Sequence, residues 1–417
     1  MHIYIHIPFC IKKCNYCSFL SFSCSEEERE RYVCALIEEI KGCKDRFAYN
    51  PSISTVYFGG GTPSVLKAEQ LGRIMAAVRE SFDISENEEI TIEANPGTLG
   101  ETAEDVRSTL HQYREYGFNR LSMGVQSLND DVLKFIGRIH TAEDVKRDFR
   151  IAREEGWDNI NLDLILSLPI DNSREQSLTD LKELMDMHPE HISCYSLQIE
   201  EGTPFGRLYD EGKLNEVSDE EDRETYHRVC ALLTAAGYEH YEISNYAYIG
   251  EDAGEFGSAE RAHSPYRSHH NSSYWNMADY IGLGLGASGF VNGVRYRNTC
   301  DMQQYLVSFS GGSPGVIAPE SYDEYHRNTA HDNISEAVFT GLRRIEGIRY
   351  EDAVRYIASE NIDAALSAKE KFWQYYSDAR EEADRYVASG HLIIDDEGMS
   401  LTESGIDISN SIMALFV

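Results

Sequence analysis

Ile3-Tyr4-Ile5-His6-Ile7-Pro8-Phe9-Cys10, running on to Cys14 and Cys17, is the stretch that decides both the fold and the chemistry. Ile3–Ile7 reads as a β-strand, and the three cysteines that follow as CxxxCxxC sit where that strand breaks into a loop. Three thiolates within eight residues can cap one face of an iron–sulfur cubane, each holding one iron and leaving the fourth iron without a protein ligand. Structural zinc wants four closed ligands, usually as two CxxC-type pairs. A merely buried cluster of thiols fits poorly with the polar neighbours Lys12, Lys13 and Asn15. The expectation is therefore a [4Fe–4S] site on Cys10, Cys14 and Cys17. Cys24, Cys34, Cys43, Cys194, Cys230 and Cys300 are scattered and read as plain thiols.

Outward from this strand, β-rich runs recur at Thr55–Phe58, Glu89–Glu93, Arg120–Gln126, Asn159–Leu166 and His191–Leu197. Helix-like stretches separate them at Glu26–Phe47, Lys67–Ser81, Ala103–Tyr116, Ala142–Glu155 and Glu175–Met187. Strands alternating with helices imply βαβ units and a parallel sheet, curled into a barrel or doubly wound. In both, ligands bind at the C-terminal strand ends. The polar signals gather there: Gly59-Gly60-Gly61-Thr62-Pro63 after the second strand, Glu93-Ala94-Asn95-Pro96 closing the third, Gln126 closing the fourth, then Arg138, and Asp163 amid apolar residues of the fifth. Consecutive glycines let the backbone approach a ligand, and a buried aspartate needs a partner. Each alone is equally an ordinary turn or structural hydrogen-bonder; together, beside the cysteine loop, they outline a pocket.

Composition narrows the partners. The 417 residues carry 38 Lys+Arg against 71 Asp+Glu, a formal net charge of −33, which argues against a nucleic-acid surface. No run is long and apolar enough for an integral membrane segment. MHIYIHIPFC lacks the basic and apolar regions of a signal peptide, so a cytoplasmic location with reduced thiols is expected.

These motifs resemble the radical S-adenosylmethionine (SAM) group around the oxygen-independent coproporphyrinogen III oxidases. The likeness runs from Tyr4–Cys17 through Phe58-GGGTP, Ile92-EANP, Gly124-VQS, Gly137-Arg138 and Asp163. It continues through Pro189–Ser193, Glu201–Phe205 and Tyr241–Tyr246. It implies an α/β fold, a partial six-stranded (β/α) barrel over residues 1–240, with an extension over 241–310 and a mainly helical C-terminal domain over 311–417. It further implies that SAM chelates the open iron and that one-electron reduction can cleave it to a 5′-deoxyadenosyl radical. By the same resemblance Gly60, Gly61 and Thr62 hold the methionine part and Glu93 its polar groups. Tyr4 and Tyr16 flank the cluster, and Gln126, Arg138 and Asp163 fall where the oxidases hold a second SAM.

Within the group, three features are similar to the HemW-type heme chaperones. Phe19 stands where oxidases carry a fourth cysteine, only nine residues precede Cys10, leaving no expected N-terminal arm, and His270-Asn271-Ser272-Ser273-Tyr274-Trp275 matches HNxxYW. Imidazole is a good axial ligand for heme iron and aromatic rings suit a porphyrin face. His270 is thus the candidate heme ligand, with His269 a substitute; a loop-capping His270 and a core-anchoring Trp275 are the plainer reading. The resemblance implies a heme carrier that binds heme, a SAM-ligated cluster and a heme-acceptor protein such as a respiratory enzyme, or alternatively a radical SAM oxidase decarboxylating coproporphyrinogen III. An electron donor is required if radical chemistry occurs.

Residues 250–268 are rich in Gly, Ser and acids and read as a surface insertion. Ile334–Ile345 and Ala364–Gly390 show helical spacing. A hairpin-like His391–Ile394, Asp395–Gly398 turn and Ser400–Thr402 follow, then Ile406–Phe416, which together suggest a winged-helix-like unit without a basic stripe.

Overall fold

A computed structural model describes residues 1–46, 52–249, 263–309, 322–357 and 365–417. Six strands, β1 (His2–Ile7), β2 (Ser52–Gly60), β3 (Asp83–Ala94), β4 (Arg120–Gln126), β5 (Ile160–Leu166) and β6 (His191–Ser196), pair in parallel in chain order. A doubly wound sheet would reverse direction at a switch point. This one never does, so the units curl one way into a barrel. It stays open because β1 takes β9 (Tyr280–Leu283) as its other neighbour and β6 takes β8 (Asn245–Tyr248).

The strands alternate strictly. Ile3, Ile5 and Ile7, Val56 and Phe58, Ile90 and Ile92, Leu121 and Met123, and Leu162 and Leu164 are all buried in the apolar core. The intervening positions are polar: Tyr4 and His6, Thr55 and Tyr57, Thr91 and Glu93, Ser122 and Gln126, Asn161 and Asp163. With a period of two, one set packs against the helices and the other lines the barrel. Helices form where capping donors are supplied: Thr102 and Thr141 each accept from the backbone three residues on, at Asp105 and Asp144, whose side chains bond back.

Residues 241–309, joined by a strand from beyond them, extend this same sheet on both edges rather than standing apart. β7 (Tyr238–Glu242) and β8 lie beyond β6, and β9, β10 (Ser288–Val291), β11 (Val294–Asn298) and β12 (Tyr322–Arg327) lie beyond β1. The expected boundary at 240/241 falls inside β7, and the one at 310/311 lies outside the described residues. Of the 250–268 insertion, 250–262 also lies outside them; its end is tied down, with Ser264 N and the Arg267 guanidinium both donating to Glu239.

The C-terminal unit has its own core around Phe372, Tyr376, Ile334 and Phe416, which also takes in Met277 and Phe290 of the barrel extension. Its small antiparallel sheet orders β13 (Ile348–Arg349), β15 (Gly398–Leu401) and β14 (Leu392–Ile394), completing the winged-helix-like arrangement. The continuous helical spacing expected up to Gly390 is broken at Ser377–Ala379, where Tyr376 turns inward and its hydroxyl donates to the Phe416 carbonyl. Among the described residues no helix is long and apolar enough to cross a membrane.

Candidate cofactor site

The cysteine loop is clasped at its base: Cys10 N donates to Phe22 O and Phe22 N to Pro8 O. His6, inward on β1, donates through Nε2 to Leu20 O at 3.0 Å, which leaves Nδ1 to accept from the Tyr4 hydroxyl at 3.0 Å. Asn15 ties the loop to the far side of the barrel, donating to Phe135 O and Ile136 O. Thus fixed, the half-buried Cys10, Cys14 and Cys17 open onto one cavity at the C-terminal strand ends. Tyr16, Gly60, Gly61, Thr62, Glu93, Gln126, Arg138 and Asp163 line the same cavity, so the structure brings these expected residues together.

Hydrogen bonds set their positions. Asn95 donates to Thr62 Oγ1 at 2.8 Å and accepts from Arg138 at 2.7 Å, and Arg138 also reaches the Gly124 carbonyl and lies 3.6 Å from Cys14 Sγ. Gly124 is required for this: a Cβ there would fall 2.6 Å from both the Arg138 guanidinium and Asn95 Oδ1. Gln126 adopts φ +71°, an uncommon backbone for a side chain of its kind, and accepts from the Tyr195 hydroxyl at 2.8 Å. Arg138 Nε is buried without a partner among the described residues.

Glu93 closes the cavity floor, accepting from the Tyr57 hydroxyl at 2.7 Å and from Gly60 N at 3.2 Å. Burial, with the Asp163 carboxylate adding to it, pushes its pKa from 4.5 up to about 7. Burial raises Asp163 too, against the bond it accepts from Asn161 at 2.7 Å. Two desolvated carboxylates and three thiols around one cavity are a donor set for a ligand bearing cationic or N–H groups beside a metal cluster.

Two expected residues lie elsewhere. Tyr4 does not line the cavity; its ring sits below it, 6.2 Å from Tyr57 and 6.5 Å from His270. The HNxxYW segment forms the helix His269–Trp275 at the opposite, N-terminal end of the strands, where its first backbone amides, on His269 and His270, donate to Glu89. His270 is 1 % exposed, and its ring nitrogens bond Thr55 Oγ1 at 2.7 Å and the Tyr274 hydroxyl at 2.8 Å. Burial drives its pKa well down, so it is a neutral imidazole with neither nitrogen free in this conformation. His269 is exposed. Sequence reasoning missed His6, Tyr57, Asn95 and Tyr195; the signal was polar side chains on the inward phase of otherwise apolar parallel strands.

Residues 4–181 match the radical SAM superfamily. The heme chaperone HemW of Lactococcus lactis is 31% identical over 99% of this chain and 96% of its own. That of Bacillus subtilis is 35% identical over 83% of this chain and 84% of its own. Among solved structures, coproporphyrinogen III oxidase of Escherichia coli, a radical SAM enzyme, superposes with a TM-score of 0.77 over 99% of this chain and 89% of its own, at 23% identity, a likeness of fold. With motif, barrel and near full-length similarity in agreement, the chain belongs to the HemW family of the radical SAM superfamily.

Proposed function

We propose that this protein is a heme chaperone: it binds heme together with a SAM-ligated [4Fe–4S] cluster and passes heme to an acceptor protein such as a respiratory enzyme. The observation that carries this reading is near full-length similarity above 30% to proteins named heme chaperone HemW, against 23% to the oxidase. Phe19, 67% exposed at the rim of the cysteine loop, supports it, since it stands where the oxidases resembled here have a cysteine.

Cys10, Cys14 and Cys17 would hold the cluster, Gly60–Thr62 the methionine part of SAM and Glu93 its polar groups, and Tyr16 would shield the cluster and contact the adenine. Bound together, cluster and SAM would supply one-electron chemistry, drawing on an external electron donor. What the chain itself contributes is the cavity: Asn95 fixes Thr62 and Arg138 at once, and Glu93 supplies an acceptor held by Tyr57. Gln126, Arg138 and Asp163 share that cavity, which supports room for a second SAM and keeps coproporphyrinogen III decarboxylation as the second reading. For heme iron, His269 is reachable without rearrangement, whereas His270 becomes a ligand only if its bond to Thr55 or Tyr274 opens.

Purified protein titrated with hemin is expected to develop a saturable Soret band, and its absence overturns the chaperone reading. Cluster-reconstituted protein given SAM, a reductant and coproporphyrinogen III under anaerobic conditions is expected to form no protoporphyrinogen. Catalytic turnover there would establish the oxidase instead.

A further inference from the structure

A second cavity opens at the seam between the end of the helix His269–Trp275 and the C-terminal unit, with Trp275, Asn276, Arg344, Ile348, Asp352 and Arg355 in its wall. Two residues of its lining carry unpartnered polar atoms. The Trp275 indole Nε1, like that of Trp157, is buried with no acceptor among the described residues. A buried indole N–H ordinarily finds one. Arg344 donates only to neutral oxygens, Asn276 Oδ1 and Gly347 O, each at 2.7 Å; its Nε is buried without a partner, and it forms no ion pair among the described residues. Burial pulls its pKa below the ordinary guanidinium value, Glu346 and Asp352 only partly offsetting this. A guanidinium that stays charged while its direct hydrogen bonds go only to neutral oxygens can still take up an anion.

The remaining charges agree. Arg355, half-exposed, faces the cavity and is paired with Asp352 only at 3.9 Å. The wall itself carries two guanidiniums and one carboxylate, with Glu346 acting on Arg344 from outside it, in a chain of net charge −33. Arg343 lies over the Trp275 ring at 4.5 Å, which fixes the indole as part of the wall. Ile348, Met277 and Ala337 add apolar groups to the same lining. The combination of an aromatic ring, apolar side chains and guanidiniums around one cavity suits a carboxylate carried on a large apolar body.

We infer that this seam is a carboxylate-binding subsite, taking a propionate of heme between Arg344 and the Trp275 indole N–H. The inference rests on the heme-binding reading above and adds to it where the porphyrin's acid edge is held, on a face away from the cluster cavity. Asp352 is the one carboxylate in the wall and opposes the ligand.

The test titrates full-length protein with hemin and with hemin dimethyl ester, following the Soret band and the quenching of tryptophan fluorescence. Wild type is expected to bind hemin at least tenfold more tightly than the ester. Arg344→Gln is expected to lose that preference, and Arg355→Gln, altering an exposed side chain and so sparing the fold, to lose part of it. Trp275→Phe keeps the ring and should cost several-fold; Asp352→Asn should tighten hemin binding. Equal binding of hemin and ester by wild type, or unchanged preference in both arginine variants, overturns the subsite while leaving the chaperone reading standing. Absence of any saturable hemin binding overturns both. Succinate protecting Trp275 as effectively as hemin at equal concentration assigns the cavity to a small dicarboxylate and overturns the porphyrin assignment.

Discussion

Replacing Glu93 by glutamine separates what this carboxylate does for the ligand from what it costs the fold. Its pKa of about 7 against 4.5 means that, between those two pH values, the folded chain keeps a proton the unfolded chain has released. Stability therefore falls as pH rises through this window, by up to roughly 3 kcal/mol for a shift of this size. Glu93→Gln removes the charge while keeping an acceptor for Tyr57. The ligand-free variant should gain about 1–3 kcal/mol at pH 8 and little at pH 4.5. Ligand binding runs the opposite way. If SAM's polar groups need the ionised carboxylate, only about 3% of wild-type sites are competent at pH 5.5, and SAM affinity should improve roughly thirtyfold from pH 5.5 to its plateau above pH 7. In the variant that slope should vanish, with affinity at pH 8 lower by about tenfold or more for the lost charge-assisted bond. Equilibrium dialysis of labelled SAM against cluster-reconstituted protein, with melting curves at matched pH, reads both arms. A wild-type affinity that is flat from pH 5.5 to 7.5, or a variant that keeps the slope, would refute the reasoning.

Four further perturbations probe other parts of the molecule. Gly61→Ala puts a methyl group 2.7 Å from the Phe9 carbonyl, so the segment leaving β1 must shift just before Cys10; a loss of about 1–3 kcal/mol and lowered iron per chain are expected by thermal melting and iron assay. Cys14→Ala should abolish the brown cluster absorbance with unchanged far-ultraviolet circular dichroism, and wild-type iron content would overturn the ligand assignment. Tyr57→Phe deletes the hydroxyl donated to Glu93, so the pH midpoint of SAM binding should rise above 7, checked by the same dialysis. Phe372→Ala empties the centre of the C-terminal core and should cost about 3–5 kcal/mol in urea unfolding of that unit, leaving the barrel's transition in place.

The parts of the molecule that were legible in the sequence are those in which neighbours in space are neighbours in the chain. Cys10, Cys14 and Cys17 share one loop, and β4 runs over Arg120–Gln126, the span its composition marks. Strands β9 to β11 escaped because runs of four or five residues, the first two interrupted by glycine, are too short to show a period. Asn95 and Tyr195 escaped for another reason. Their roles depend on which strands pair and in what register, and Tyr195 meets Gln126 across 69 residues of chain. His270 shows the limit most clearly. HNxxYW marks a distinctive segment, but what the imidazole touches is fixed by Thr55, 215 residues away. No local pattern carries that information.

Tyr57 touches both ends of the barrel. Its hydroxyl holds Glu93 beneath the cluster cavity, and its ring stacks on His270 at 4.9 Å, at the other mouth. Any event that pulls His270 from Thr55 removes one face of that stack and loosens the donor that orients Glu93. By thermodynamic reciprocity, a ligand that fixes Glu93 must then resist the release of His270 by the same factor. One phenol thus contacts a functional group at each mouth of the barrel.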